Sequence, residues 1–191
     1  MGQYGVECPA DLFGAGGVGT AAIAVAAALG ASPLIAVDIK PDKLALAEHF
    51  GATHTIDASR EDPITRIREI VGGSGADLTV EAAGRPDVME QAFASTRLGG
   101  GLCLLAGNVP LGQRMSLDPY DLIKGRRIAG TWAGETVPER DFPIYAKMAA
   151  DGRLDLAAMV SHEYGLSQIN QALDDLEAGR VARALVRLQA T

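Results

Sequence analysis

Three glycines stand at positions 14, 16 and 19, between a short apolar segment, Ala10–Phe13, and an alanine-rich helical pattern that continues to Leu29. A strand followed by glycines at this spacing and then by a helix is typical of a dinucleotide-binding turn. Gly14 permits the tight turn, Gly16 lets the backbone approach a pyrophosphate, and Gly19 lets helix and strand pack closely. The helix N-terminus adds N–H groups and a partial positive charge for the phosphates. The pattern predicts a phosphate-binding strand–turn–helix unit.

An acidic residue ends the second predicted strand, Leu34–Asp38. It lies about 20 residues beyond the glycines, where a carboxylate accepts hydrogen bonds from ribose hydroxyls and repels a 2′-phosphate. NAD is therefore favoured over NADP, although Lys40 and Lys43 leave NADP open. The alternative for Asp38 is a surface residue that caps the helix expected to start at Pro41.

Short apolar runs alternate with helical patterns, which is typical of parallel strands joined by crossover helices. Residues 1–131 are predicted to form an α/β fold, a doubly wound Rossmann domain with a six-stranded parallel sheet. Helices are expected to start at Pro41, Pro63 and Pro86, and a helical turn is expected at Asp118–Lys124. The predicted strands are Ala10–Phe13, Leu34–Asp38, Thr53–Ile56, Leu78–Val80, Leu102–Ala106 and Arg127–Thr131.

Residues 132–191 are predicted to form a strand–helix–strand appendage. A loop through Pro138 and Pro143 is expected to lead into a helix at Ile144–Ala150. Ser167 is expected to cap the later helix and Gly179 to end it. The appendage is predicted as the strand Met159–Tyr164, the helix Ser167–Ala178 with an inner stripe of Ile169, Ala172, Leu173 and Leu176, and the strand Ala184–Leu188.

Asp11 conflicts with this fold, because the first strand of a doubly wound sheet is covered on both faces and should be apolar. A buried, unpaired carboxylate is costly. Either the strand is shortened to Leu12 and Phe13, or Asp11 has a partner that the sequence does not reveal.

The chain's composition removes several classes of function. Its 191 residues carry a net charge of −7, with no basic run for a nucleic-acid partner. The segment Val18–Val37 is apolar but is interrupted by Gly30 and Pro33, which predicts a helix, a turn and a strand and not a membrane span. Met1–Asp11 lacks the pattern of a signal peptide, so a cytoplasmic location is expected.

Candidate metal ligands are sparse and scattered. Cys8 and Cys103 form neither a CxxC motif nor a cluster with histidine, so no cysteine-based zinc site or disulfide framework is expected. His49, His54 and His162 also lack the spacing of a metal site.

Several motifs, taken in order, resemble the coenzyme-binding part of the zinc-dependent alcohol dehydrogenases, in the medium-chain dehydrogenase/reductase superfamily. The resemblance covers nearly the whole chain, with residues 132–191 similar to the segment that returns to complete the catalytic lobe. The motifs are Gly14-Ala-Gly-Gly-Val-Gly19, Ala36-Val-Asp-Ile-Lys40, Lys43-Leu-Ala-Leu-Ala47, Phe50-Gly-Ala-Thr53, Val80-Glu-Ala-Ala-Gly84 and Gly107-Asn-Val-Pro110.

The resemblance implies a cofactor-binding role for a larger set of residues. Asp38 would bind the adenosine ribose, with Ile39 beside it and Lys43 flanking the adenosine. Arg183 would pair with the pyrophosphate, the alternative being an exposed arginine in a polar loop. The remaining members are Gly16, Gly17 and Val18 at the pyrophosphate, Ala82 and Ala83 near the adenine, and Ala106, Gly107 and Asn108 along the nicotinamide.

One part of the family pattern has no counterpart in this sequence. Family members carry, before the coenzyme domain, a mostly β, GroES-like lobe that supplies the zinc ligands and the proton relay. We therefore expect this chain alone to bind NAD with little or no turnover, and to hold no zinc. The family further implies a homodimer through Asn108–Leu117 and Arg127–Thr131, and an apolar surface within residues 132–191 that is partly uncovered.

Other interpretations remain at this level. Tyr120 and Lys124 match the YxxxK pair of short-chain dehydrogenases, but the glycine spacing of that family is absent. An S-adenosylmethionine-dependent methyltransferase has a similar glycine loop and acidic residue, and Asp11 would be less surprising there. A non-catalytic NAD-binding module is the third possibility.

Overall fold

A computed structural model describes residues 8–188, so most of the Met1–Asp11 segment lies outside the described part. The chain divides into two compact units, one ending at Asp141 and the other beginning at Phe142. The division falls inside a helix, beyond the boundary at residue 131 expected from the sequence.

The first unit contains the predicted six-stranded parallel sheet, with strands in the order β3-β2-β1-β4-β5-β6. All five neighbouring pairs are parallel, which confirms the doubly wound Rossmann topology. Each strand matches its predicted position to within one residue at either end. The strands are β1 (Ala10–Phe13), β2 (Leu34–Asp38), β3 (His54–Asp57), β4 (Leu78–Glu81), β5 (Leu102–Leu105) and β6 (Arg127–Gly130).

Proline begins most of the connecting helices, because its missing N–H is unpaired in a first turn anyway. Asp62 and Asp118 reinforce two of these starts, accepting hydrogen bonds from the N–H groups of Thr65 at 3.0 Å and Tyr120 at 2.9 Å. The helices of the first unit are α1 (Gly17–Ala28), α2 (Pro41–His49), α3 (Pro63–Ile70), α4 (Pro86–Ser95) and α5 (Pro119–Ile123).

The core lies against both faces of the central strands, and β1 is buried at every residue. On the face covered by α3 and α4, Phe13 packs in one cluster with Ile56, Ile67 and Phe93. Burial of side chains of this size contributes about 1.5–3 kcal/mol each. This packing holds the carboxyl end of β1 in place.

Asp11 lies within β1, and its side chain is completely buried. Both outcomes expected from the sequence are wrong. The ladders to β2 and β4 keep the strand at full length, and neither carboxylate oxygen has a hydrogen-bond partner among the described residues. Burial raises the pKa of Asp11 to about 7, against the opposing influence of the hydroxyls of Thr79 and Ser95.

The second unit is the predicted strand–helix–strand element. Strands β7 (His162–Gly165) and β8 (Ala184–Arg187) pair in parallel, and α7 (Ile169–Glu177) connects them. Gly179 follows the helix at φ 65°, as expected for a glycine stop. The first strand begins later than predicted, because a turn occupies the residues after Leu156.

Two predictions for this region were wrong. The segment through Pro138 and Pro143 is the first half of α6 (Pro138–Ala150) and not a loop. Pro143 lies inside this helix, where it removes one backbone donor, and the Asp141 carboxylate accepts the Val137 N–H at 2.8 Å at the start of the helix. Ser167 does not cap α7 but lies inside a 3₁₀ turn that precedes the helix.

The apolar surface of the second unit is partly uncovered, as expected. The inner stripe predicted for α7 is wrong except at Ala172, because Ile169, Leu173 and Leu176 are exposed, Leu173 by 56%. Leu156 and Leu166 add further exposed area.

No helix in the described part of the chain is both long enough and apolar enough to cross a bilayer. The apolar segment Val18–Val37 is a helix, a turn and a strand, as predicted.

Candidate functional site

The sheet order places the candidate site at the carboxyl ends of β1 and β4. These strands are neighbours, but β1 continues to β2 on one side and β4 to β5 on the other. Loops that leave in opposite directions open a crevice at such a switch point, and ligands of open α/β sheets bind there. The turn after β1 and the loops after β2, β4 and β5 all belong to this edge.

The three glycines of the turn have different surroundings. Gly14 has a φ of 94°, and a Cβ on it would lie 2.7 Å from the Ala83 nitrogen. A Cβ on Gly19 would overlap the carbonyl oxygen of Gly14. A Cβ on Gly16, in contrast, would have its nearest neighbour, the Lys43 ammonium, 4.0 Å away. The outer glycines are thus required by packing, whereas Gly16 leaves an open backbone surface.

This open surface lies at the start of α1, for which Gly16 is the N-cap residue. No acidic side chain occupies the first turn of the helix, so its positive end is not neutralised from within. The Lys43 ammonium adds a positive charge nearby, and Val18 is 57% exposed beside it. The arrangement suits an anion with two phosphate groups.

Asp38 connects the end of β2 to the glycine turn. Its Oδ2 accepts a hydrogen bond from the Ala15 N–H at 2.8 Å. Its Oδ1 accepts from the N–H groups of Ile39 at 2.8 Å and Lys40 at 3.0 Å. The alternative role does not apply, because Lys40 and not Asp38 is the N-cap residue of α2. Oδ2 accepts only one of these N–H groups and so retains acceptor capacity for a further donor, such as a ribose hydroxyl.

The loops after β4 and β5 contact each other. The main-chain oxygen of Glu81 accepts hydrogen bonds from Ala106 at 2.8 Å and Gly107 at 2.9 Å. A Cβ on Gly84 would overlap the Asn108 carbonyl oxygen, so these backbones touch directly.

Sequence reasoning missed Glu81 as a residue of this site. Its side chain is completely buried, and Oε1 accepts the N–H groups of Ala83 at 2.9 Å and Gly84 at 2.7 Å. Burial raises the pKa of the Glu81 carboxyl, although surrounding N–H groups, that of Gly84 above all, favour its ionised form. The available signal was an acidic residue at the end of a short strand, β4, just before a loop that contains glycine.

The structure brings most of the predicted residues together and leaves one in the second unit. All positions from Gly14 to Asn108 lie in the first unit, on the turn, on α1 or α2, or on the loops after β2, β4 and β5. Arg183 belongs to the second unit, where its N–H donates to the Ser161 Oγ at 2.9 Å. Tyr120 and Lys124 lie on the short helix α5 and its C-cap, with the ammonium 4.4 Å from the ring centroid.

The described residues contain no group of three or more histidine, cysteine, aspartate or glutamate side chains arranged to hold a metal ion. Cys103 is buried within β5, which raises the pKa of its thiol to about 12.

Fold and turn together define an α/β protein of the Rossmann nucleotide-binding class. A family model described as zinc-binding dehydrogenase matches residues 17–151, and the chain belongs to this family. Its described sheet is parallel throughout, without the antiparallel hairpin usual in methyltransferases.

Relatives with curated names agree with the family. The chain is 33% identical over 177 residues to alcohol dehydrogenase-like 5 of Arabidopsis thaliana, covering 92% of the chain and 46% of that protein. It is 32% identical over 189 residues to an S-(hydroxymethyl)glutathione dehydrogenase of Paracoccus denitrificans, covering 95% and 50%. The chain thus spans about half the length of these relatives.

Solved structures give the same result. An alcohol dehydrogenase zinc-binding domain protein from Burkholderia ambifaria superposes with a TM-score of 0.89 at 36% identity, over 96% of this chain and 49% of that one. Benzyl alcohol dehydrogenase from Acinetobacter calcoaceticus superposes with a TM-score of 0.90 at 30% identity, over 95% and 50%.

Proposed function

We propose that this chain binds NAD at the turn after β1, as the coenzyme-binding part of an oxidoreductase that transfers hydride between an alcohol and NAD. The observation that carries the proposal is the pairing of the open backbone at Gly16 with the Asp38 carboxylate, which is attached to the same turn through Ala15. The pyrophosphate would bind at the start of α1, and the adenosine ribose would bind Asp38. NAD supplies the hydride chemistry when bound.

The preference for NAD over NADP rests on the charge of Asp38. Three backbone N–H groups hold this carboxylate in place, where its negative charge repels a 2′-phosphate. Lys43 lies close enough to Gly16 to reach the pyrophosphate as well as the adenosine beside which the resemblance places it.

Isothermal titration calorimetry of the chain with NADH and NADPH tests this proposal. NADH is expected to bind with measurable heat, and NADPH at least about tenfold more weakly, a difference of 1.4 kcal/mol. Adenosine without phosphates serves as the negative control. No heat with either dinucleotide at millimolar concentration contradicts the proposal.

We also propose that the chain on its own turns over alcohols slowly or not at all. Oxidising an alcohol requires a group that polarises its oxygen and one that accepts its proton. Around the turn, the described carboxylates are Asp38, which is bonded to backbone, and Glu81, which is completely buried. An assay with NAD, simple alcohols and added Zn²⁺ tests this, and robust turnover contradicts it.

A homodimer through the edge of the sheet is the third part of the proposal. Within the described residues β6 pairs with β5 alone, and Arg127, Ala129 and Gly130 along it are exposed. An edge strand of this kind presents unpaired N–H and C=O groups to a second copy. Light scattering of the chain and of a Gly130→Pro variant tests it. The N–H groups of Arg127 and Thr131 donate to β5, so by alternation that of Gly130 faces the open edge, and proline removes this donor. The dimer is expected for the chain and a monomer for the variant.

A further inference from the structure

The Glu81 carboxylate is buried beneath the loops that form one half of the candidate site. Oε1 accepts two N–H groups of the loop after β4, while the main-chain oxygen of the same residue accepts two N–H groups of the segment after β5. One residue thereby fixes both loops. Its side chain has no exposed surface, so it does not itself contact a bound molecule.

The second carboxylate oxygen is directed toward Gly107. A Cβ on Gly107 would lie 2.6 Å from the Glu81 Oε2, and it would also overlap the Gly84 nitrogen. Oε2 has no hydrogen-bond partner among the described residues. A buried acceptor without a partner costs free energy, so a role in packing alone would be filled better by an apolar residue.

The loop that Glu81 holds also packs on the glycine turn. The Ala83 nitrogen, which donates to Oε1, is the atom that lies 2.7 Å from where a Gly14 Cβ would be. The hydrogen bonds of Glu81 thus link the position of the segment after β5 to the position of the turn after β1. Such support of a binding surface by a buried hydrogen-bonded group is how sites are preorganised.

The location of these loops determines which part of a dinucleotide they would meet. Asp38 lies on the β2 side of the switch point, whereas Glu81 and Gly107 lie on the β4 and β5 side. In a doubly wound sheet the two nucleotide halves of the cofactor bind on opposite sides of that point. The segment after β5 therefore faces the half that is not adenosine, and the loop after β4, which the resemblance places near the adenine, lies between that segment and the glycine turn.

We propose that Glu81 is a positioning residue for the nicotinamide ring, which it serves by holding the loops after β4 and β5 in one conformation. This inference rests on the proposed binding of NAD. It assigns to Glu81 an effect on the nicotinamide end of the cofactor that is separate from affinity for the rest of the molecule.

The test compares NADH with ADP-ribose, which lacks only the nicotinamide ring, by calorimetry on three variants. Glu81→Leu removes both acceptors and is expected to weaken NADH about tenfold while leaving ADP-ribose within about twofold. Glu81→Gln keeps one acceptor oxygen and is expected to restore most of the NADH affinity. Asp11→Leu is the control, since it removes another completely buried carboxylate from the sheet without touching these loops.

A role in folding alone would weaken both ligands equally, and that result overturns the inference, as does unchanged affinity for both. The fluorescence of bound NADH gives a second readout, with a smaller emission shift expected in Glu81→Leu. Should this variant fail to fold, Glu81→Ala, which also removes both acceptors but adds no bulk, decides, because an unaltered ratio of the two affinities in it overturns the inference. If the unmodified chain binds both NADH and ADP-ribose, the proposed function stands even when the inference about Glu81 fails. If it binds neither ligand, the proposed function and the inference are both overturned.

Discussion

The Ala15 N–H donates a hydrogen bond to Oδ2 of Asp38 across 2.8 Å, joining the turn after β1 to the end of β2. The same carboxylate accepts two further N–H groups from the residues that follow it. Asp38 therefore has a structural role in shaping the glycine turn and a proposed binding role toward the ribose. Removing it tests both.

Substituting Asp38→Ala is expected to lower NADH affinity by about ten- to hundredfold, or 1.4–2.8 kcal/mol. The loss combines an acceptor for ribose hydroxyls with a support of the turn, each a hydrogen bond to a charged group. NADPH affinity should fall less, because the repulsion of its 2′-phosphate disappears. Calorimetry measures both, and Asp42→Ala, an exposed carboxylate in the first turn of α2, is the matched control. Unaltered NADH binding in a folded Asp38→Ala protein contradicts the assignment.

Substitutions at two glycines of the turn should separate effects on stability from effects on NADH affinity. Gly16→Ala keeps an allowed φ of −74° and adds a methyl group to open space, so stability should change by no more than about 0.5 kcal/mol. NADH affinity should nevertheless fall about tenfold, because the methyl group occupies the surface proposed for the pyrophosphate.

Gly19→Ala should instead lower the stability of the fold. Its methyl group would overlap the Gly14 carbonyl oxygen, so the backbone must move at a cost of about 1–3 kcal/mol or more. Urea unfolding and calorimetry on both variants provide the comparison. A Gly16→Ala protein that binds NADH normally would remove Gly16 from the site.

The buried Asp11 should make stability depend on pH. Its folded-state pKa of about 7 lies above the model-peptide value of 3.8, so the folded state binds the extra proton between these values. Stability from this group is present at low pH and is lost as pH rises toward 7, with a slope of about 1.4 kcal/mol per pH unit.

Asp11→Val should remove that slope, and the variant's advantage over the unmodified chain should grow by about 3 kcal/mol between pH 5 and pH 7.5. Urea unfolding at the two pH values measures it. Asp42→Asn, in an exposed position, should show no such growth. An advantage that is constant with pH would show that Asp11 does not take up a proton on folding.

Arg126 should matter for stability and not for cofactor binding. It is 7% exposed, donates from Nε to the Thr96 carbonyl oxygen at 2.7 Å and pairs with Asp121. Arg126→Leu is expected to cost about 2 kcal/mol, less than a fully buried pair, because Asp121 can regain water. Urea unfolding gives this value, and Arg127→Leu on the exposed edge strand is the control. A loss of NADH affinity at unchanged stability would contradict this division of roles.

Much of the candidate site was predictable because its signals are local. The glycine spacing, the strand before it and the acidic end of β2 stand within about 30 residues, and each follows from backbone geometry or turn chemistry. The strands of the sheet were predictable for the same reason, since glycine and proline mark their ends. Pro138 and Pro143 misled the same reasoning, because Pro138 fits the first turn of α6 as well as a loop, and Pro143 is tolerated inside that helix.

Residues whose effect depends on distant neighbours were not predictable. The Glu81 carboxylate is held by backbone N–H groups of its own loop and lies against Gly107. The sequence does not show that these groups meet. Asp11 gave a warning in the sequence, yet only the packing of α4 against the central strands shows that its carboxylate is enclosed without a partner.

The amino-acid sequence by itself determined the alternation of strands and helices, the glycine turn and the carboxylate placed to serve it, because short-range sterics and hydrophobic period suffice for these. Tertiary structure alone decided which glycine is open, which loops touch and how far a buried carboxyl departs from its ordinary pKa. Those properties depend on atoms that are remote along the chain and come within a few ångströms of each other only in the folded protein.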